Sequence, residues 1–296
     1  MKLGLNLSFA VKRWMLPKEL AALCKSMGAK YIQFTWDLCD PWWPEAQRDP
    51  IARAYADAFA REGLVLTGTF GGLAAYTYPQ LLAPMEEMRR AGVQFFKRAI
   101  DMTRVMGLDV IGTPLGGMDA MDSNDPARRQ ERYDCALDLV REIAQYGYEK
   151  GLREIQVEAT PLATEFPHSP EASLKLMKDL EGTTAIPVRL LIDWGHAMFK
   201  PLLKEQADME LWLKTLKPYV SAIHLQQCDG QWDRHWDFTH EGGIITPELI
   251  RTVTKNSGAE DIIQYLEVVT IFEDTDEHVL DGMTKTMKML QEVFEK

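Results

Sequence analysis

The chain has 296 residues, 46% of them apolar, with 33 Lys and Arg against 44 Asp and Glu for a net charge of −11. That length suits a single domain of roughly 250 residues with modest insertions and a sizeable core. An acidic chain without a basic tract is a poor partner for nucleic acid or an anionic membrane surface. No apolar run approaches the ~20 residues a membrane span needs. Cys24, Cys39, Cys135 and Cys228 show no close pairing, and Met1-Lys2-Leu3-Gly4-Leu5-Asn6 lacks the long apolar core of a signal peptide. A reducing, cytoplasmic setting is the expectation.

In chain order, short β-branched or apolar runs predict strands at Leu3–Leu7, Tyr31–Phe34, Val65–Thr69, Val110–Thr113, Ile155–Glu158, Leu190–Asp193, Ala222–Leu225 and Ile263–Val268. Helical patterns fall between and after them at Pro17–Met27, Ile51–Glu62, Met85–Met106, Pro126–Lys150, Pro170–Glu181, Glu205–Leu216, Pro247–Asn256 and Glu277–Phe294. Several open on Pro and several stop beside Gly, the usual punctuation of helix ends. Eight alternating units predict parallel strands and a closed (β/α)₈ TIM barrel over residues 1–296 as one domain. An open doubly wound sheet is the competing arrangement, but no G-x-G-x-x-G follows any strand.

Four of these runs, the fifth to the eighth in sequence order and spaced as consecutive βα units, close on a potential metal ligand: Glu158, Asp193, His224 and Glu267. A polar residue at the C-terminal end of a barrel strand faces the catalytic mouth. Each alone has an ordinary reading, a carboxylate capping the next helix or an Asp–His hydrogen bond. Together they point to one divalent cation. Three hard carboxylates and an imidazole suit Mn²⁺, Mg²⁺ or Co²⁺, with Zn²⁺ also compatible.

The chain resembles the sugar-phosphate isomerase/epimerase family of xylose isomerase-like barrels, which includes ketose 3-epimerases of the tagatose/psicose type and relatives of endonuclease IV. The resemblance rests on Leu191-Ile192-Asp193-Trp194-Gly195-His196, on Ile223-His224-Leu225-Gln226, and on the Arg234–Ile245 stretch, which is similar to an R-x-x-x-x-P-G-x-G-x-I loop. It implies that Glu158, Asp193, His224 and Glu267 bind one metal, Mn²⁺ foremost. It also implies that Glu158 and Glu267 exchange the substrate proton and that His196 and Arg234 hold substrate oxygens. Here Arg234 lies further beyond His224 than in those epimerases, and the loop proline is missing.

Glutamates on the fifth and eighth strands would approach a bound ketose from opposite faces, and two opposed bases can invert a carbon through an enediolate. The expected activity is therefore epimerisation or isomerisation of a small ketose or ketose phosphate. An aldose–ketose isomerase of a tetrose or branched pentose is the nearest alternative. An endonuclease IV-like nuclease would need more histidines and a basic groove, and a non-catalytic sugar-binding barrel would not need both glutamates. Trp14, Trp36 and Phe70 directly follow strands one to three and are candidates for packing on sugar. His240 and Gly242-Gly243, in the loop after strand seven, are candidates for holding a phosphate. Trp42-Trp43 fits loop padding or a subunit interface of a homodimer or homotetramer.

Overall fold

The computed structural model describes residues 1–78 and 80–295 and contains eight parallel strands. They are β1 Lys2–Asn6, β2 Tyr31–Thr35, β3 Val65–Phe70, β4 Val110–Thr113, β5 Glu154–Ala159, β6 Val188–Asp193, β7 Val220–Leu225 and β8 Ile263–Leu266. Parallel neighbours need a long crossover, and here each crossover contains a helix. The strands close in sequence order, β1 pairing with both β2 and β8, so the ring has no free edge.

Eight main helices surround the ring: α1 Pro17–Ser26, α2 Glu45–Arg61, α3 Glu86–Val105, α4 Pro126–Lys150, α5 Pro170–Leu180, α6 Met209–Leu216, α7 Pro247–Asn256 and α8 Asp276–Phe294. The predicted starts of α4, α5 and α7 carry both signals of a helix N-terminus. Pro occupies the first turn, and the side chains of Asp125, Ser169 and Thr246 accept backbone N–H groups that the helix itself leaves unpaired.

Strands in such a ring are covered on one face by helices and on the other by the barrel interior, which is why β5 is buried along its whole length. The main core lies between strands and helices. A smaller one, formed by Phe70, Leu191, Ala222 and Tyr265, fills the inside of the barrel.

Most boundaries shift by one or two residues from the sequence expectation, and three differences have a plain physical cause. Helix α2 begins at Glu45 and runs through Pro50 instead of starting after it. The N–H groups of Gln47 and Arg48 both donate to the Pro44 carbonyl at 2.9 Å, so the first turn closes before the proline is reached. Helix α6 starts at Met209 instead of Glu205, because Asp208 caps it by accepting from Glu210 and Leu211 at 2.8 and 3.3 Å. Strand β8 ends at Leu266, although the Glu267 N–H still donates to the Leu225 carbonyl at 2.8 Å. Among the described residues, no helix is long and apolar enough to cross a membrane, and all four cysteines are free thiols.

Candidate active site

Strand order brings Glu158 of β5, Asp193 of β6, His224 of β7 and Glu267 just beyond β8 to one place. Each offers a ligand atom within 4.8 Å of the other three. Glu158, Asp193 and His224 are 0% exposed and Glu267 is 4% exposed. His224 Nδ1 lies 3.3 Å from Glu158 Oε1 and 2.7 Å from Glu267 Oε2. Yet Nδ1, Glu158 Oε1 and Asp193 Oδ2 have no hydrogen-bond partner. Buried polar atoms without partners cost roughly 1–3 kcal/mol each, more when charged. A divalent cation between them satisfies all three, and the donor set is that of a hard cation. The residues therefore fit the metal that the sequence implies.

A chain of hydrogen bonds fixes which nitrogen of His224 is bare. The backbone N–H of Ser8 can only donate, and it donates to Asn6 Oδ1 at 2.8 Å. Asn6 therefore turns its amide nitrogen to Gln33 Oε1, at 2.7 Å. Gln33 Oε1 is thus an acceptor, and His224 Nε2, also 2.7 Å from it, must be the donor. In the neutral imidazole the lone pair is then on Nδ1, facing the carboxylates. Burial opposes charge on this ring, but Glu267 and Glu158 outweigh it and raise its pKa to about 9. The cluster calls for positive charge at this point.

Asp193 does two jobs. Its Oδ1 caps the short helix Trp194–Ala197 by accepting the His196 N–H at 3.0 Å, and it also accepts from Gln226 Nε2 at 2.8 Å. Its Oδ2 is left for the cluster. Gln226 Nε2 donates equally to Asp233 Oδ1 at 2.8 Å, while Gln226 Oε1 accepts the His235 N–H at 2.5 Å. His235 has a left-handed backbone, φ 49°, which costs a non-glycine residue roughly 1–2 kcal/mol.

His196 is 1% exposed. Its Nδ1 donates to the Ala159 carbonyl at 2.9 Å, and Nε2 faces Asp233 Oδ2 at 3.2 Å. Burial opposes charge on His196, but Asp233 foremost, then Asp193 and Glu158, hold its pKa well above the ordinary 6.5. Burial likewise works against ionised Asp233, and the imidazoles of His235 and His196 overcome it, holding this carboxyl well below its usual range. His196, Asp233 and His235 form a second trio with the spacing of metal ligands.

The remaining expected site residues are more scattered. Arg234 lines the cavity beside the cluster, but its guanidinium is engaged by Asp229 through Nε at 2.9 Å and Nη2 at 2.8 Å, and lies 4.9 Å from the Trp236 ring. Phe70 is buried and meets His224 edge-on, ring centroids 4.6 Å apart, so it backs a cluster residue from inside the barrel. Trp36 is 1% exposed, with Nε1 donating to Thr69 Oγ1 at 2.9 Å and its ring against Phe95. Trp14 packs on Phe9 with centroids 5.9 Å apart. Trp14, Trp36 and Phe70 do not line the cavity next to Glu267. His240 is exposed and stacked 3.6 Å above Trp236, near a turn in which Gly242 has φ +87°, a conformation that favours glycine.

Sequence reasoning assigned no role to Gln33, Tyr76, Glu165, Gln226, Asp233 or His235. Tyr76, in the short helix Leu73–Tyr76, donates its phenol to Glu158 Oε2. Glu165, 6% exposed, has its carboxyl lifted to about 7 by burial. The available signals were polar residues inside or just beyond apolar strands, Gln33 in β2 and Gln226 after β7, and the Asp233-Arg234-His235 run.

The cavity at the mouth, about 230 Å³, is bounded by Ser8, Tyr76, Asp233, Arg234, His235 and Glu267 among others. The family model described as xylose isomerase-like TIM barrel matches residues 21–291. The chain is similar to D-erythrulose 1-phosphate 3-epimerase of Brucella abortus (strain 2308), 26% identical over 268 residues, covering 88% of this chain and 85% of that protein. Among solved structures it is similar to a Rhodospirillum rubrum ATCC 11170 protein provisionally named a xylose isomerase, 48% identical with a TM-score of 0.96 over 99% of both chains. D-psicose 3-epimerase of Clostridium cellulolyticum H10 shares the fold, with a TM-score of 0.73 over 99% of both chains at 14% identity. With a family model matched over residues 21–291 and an eight-stranded barrel closed in sequence order, the chain belongs to the xylose isomerase-like TIM barrel family.

Proposed function

We propose that this protein is a divalent-cation-dependent epimerase acting beside the carbonyl of a small ketose or ketose phosphate. One observation carries the reading: two buried glutamates, Glu158 and Glu267, flank the same imidazole nitrogen at 3.3 and 2.7 Å next to a cavity. They come from strands separated on the ring by β6 and β7. The cavity, about 230 Å³, is below the usual ligand range of roughly 300–1,000 Å³, which favours a tetrose or pentose over larger sugars. The curated relative named for erythrulose 1-phosphate and the solved ketose 3-epimerase point to the same chemistry.

Glu158, Asp193, His224 and Glu267 would hold the cation, Mn²⁺ in the first instance, with Mg²⁺, Co²⁺ and Zn²⁺ compatible. When bound, it supplies Lewis-acid polarisation of the ketose carbonyl and stabilises negative charge there. Glu158 takes the proton from the carbon beside the carbonyl, the C–H electrons move into an enediolate, and Glu267 delivers a proton to the opposite face. The roles reverse for the other epimer. Gln33 accepts the Nε2–H of His224 and so leaves Nδ1 as the nitrogen turned to the carboxylates. Gln226 ties Asp193 to Asp233, so the cluster and the carboxylate that faces His196 are held through one side chain. His196, whose Nε2 now faces Asp233 at 3.2 Å, would offer that edge of its ring to a substrate oxygen that gains charge, and Arg234, at the rim, would meet a more distant oxygen or a phosphate.

The test is incubation of Mn²⁺-loaded protein in D₂O with free and phosphorylated tetroses, pentoses and hexoses. Deuterium at C3 with formation of the C3 epimer supports the reading. Transfer between C1 and C2 with aldose formation would make the enzyme an aldose–ketose isomerase. Exchange with no sugar of the panel would overturn both.

A further inference from the structure

Glu158 is asked to do two things at once, bind a cation and carry a proton, and its two oxygens have different surroundings. Oε1 faces His224 Nδ1 at 3.3 Å, with His196 Nδ1 at 3.9 Å, and has no hydrogen bond. Oε2 accepts the phenol of Tyr76. Glu267 differs: the groups around its Oε2 are the imidazoles of His224, at 2.7 Å, and His235, at 3.6 Å. The two glutamates are therefore unequal.

Tyr76 reaches Glu158 because the chain turns sharply after β3. Gly72 packs so closely on Asp37 that a Cβ there would lie 1.9 Å from Asp37 Oδ2, and the same oxygen accepts the Leu73 N–H at 2.9 Å. This anchors the helix Leu73–Tyr76 over the mouth, with Tyr76 in the cavity wall and its ring 6.5 Å from that of His196.

We infer that Tyr76 is a positioning residue that divides the work of Glu158 between its two oxygens. The phenol holds Oε2 away from the cation position, so that Glu158 ligates through Oε1 alone. A carboxylate oxygen has two lone pairs, and the phenol takes one on Oε2, leaving the other for the substrate proton. In the transfer the C–H bond breaks, an O–H bond forms on Oε2, the electron pair goes to the enediolate, and Tyr76 keeps its own proton. Without the hydroxyl, Oε2 swings to the cation and Glu158 chelates with both oxygens, losing its free base. The phenol's hydrogen bond goes to Glu158 and not to Glu267, so the step carried by Glu267 changes least. This inference rests on the proposed exchange chemistry, but its second readout does not.

The experiment compares wild type with Tyr76→Phe, both Mn²⁺-loaded. Erythrulose has one stereocentre, so its C3 epimers are the D and L forms, and each removes its proton through a different glutamate. Initial loss of the C3 proton into D₂O is measured from D- and L-erythrulose 1-phosphate separately. In Tyr76→Phe, loss from one form falls roughly 10- to 100-fold, the range of a hydrogen bond to a charged group, while loss from the other changes less than about twofold. Equal losses from both forms, or none, overturn the inference. Crystals of both proteins with Mn²⁺ provide the second arm, in which Glu158 binds through one oxygen in wild type and through two in Tyr76→Phe. Identical coordination in the two, or Mn²⁺ bound away from Glu158, overturns it as well. If wild type exchanges neither form, the proposed substrate is wrong, and the coordination arm alone decides the place of Tyr76.

Discussion

His224 donates its Nε2–H to Gln33 Oε1 at 2.7 Å, across 191 residues of chain, and that bond decides which side of the imidazole faces the carboxylates. Partners behind a metal-binding histidine fix its tautomer and orientation, and losing one typically costs 10- to 100-fold in metal affinity.

Gln33→Met keeps the side-chain length but leaves His224 Nε2 and Asn6 Nδ2 without their acceptor. The expected result is Mn²⁺ binding weakened by roughly 10- to 100-fold in a folded protein, read by calorimetric titration. Unchanged affinity would remove Gln33 from the support of the site.

Glu158→Gln and Glu267→Gln keep shape and remove the base. Each should lower kcat by roughly 10²-fold or more, the usual contribution of a positioned general base. Because both residues are also proposed ligands, Mn²⁺ content is measured on the same samples. Full occupancy with wild-type turnover would end the two-base mechanism.

His196→Ala and Arg234→Ala separate two kinds of substrate contact. Loss of His196 should reduce kcat/KM by roughly 10²–10³, as for one hydrogen bond to a developing oxyanion, with Mn²⁺ affinity retained. Arg234 is held by Asp229 at the rim, so its loss should raise KM for phosphorylated sugars more than for free ones. Equal effects on both sugar types would place Arg234 away from any phosphate.

Away from the mouth, Glu142 on α4 joins Arg90 and Lys97 on α3 at 2.6 and 2.8 Å. Hydrogen bonding from Arg90, more than Lys97, lowers its pKa from 4.5 to about 2. A depressed carboxylate pKa means the pair stabilises the fold fully above the unfolded value and loses that contribution as pH falls through the folded one. Glu142→Gln should therefore be less stable than wild type by roughly 0.2–1 kcal/mol near neutrality, as for a partly exposed ion pair. In acid denaturation series the gap should close between about pH 4.5 and pH 2. A gap that persists to the lowest pH would assign the loss to packing instead.

Much of the barrel was legible in the sequence, because strand and helix signals are local. An apolar run closing on a polar residue marks a strand end wherever the chain later goes, and that was enough to find Glu158, Asp193, His224 and Glu267. Helix starts were legible where a Pro followed a capping side chain, as at Asp125, Ser169 and Thr246. They were misread at Pro50 and Glu205, where the helix was decided by the carbonyl of Pro44 and the carboxylate of Asp208.

The surroundings of those four residues could not be read the same way. Tyr76 meets Glu158 across 82 residues and Gln226 meets Asp193 across 33, so neither pairing leaves a periodic or spacing signal in the chain. Trp36 and Phe70 follow strands exactly as cavity residues would, and only packing turned their rings inward, against Phe95 and His224. Local sequence determined which residues stand at strand ends, because backbone pairing and burial act over a few residues. Closure of the ring determined which nitrogen, which oxygen and which aromatic face the cavity, because those depend on hydrogen bonds between strands far apart in the chain.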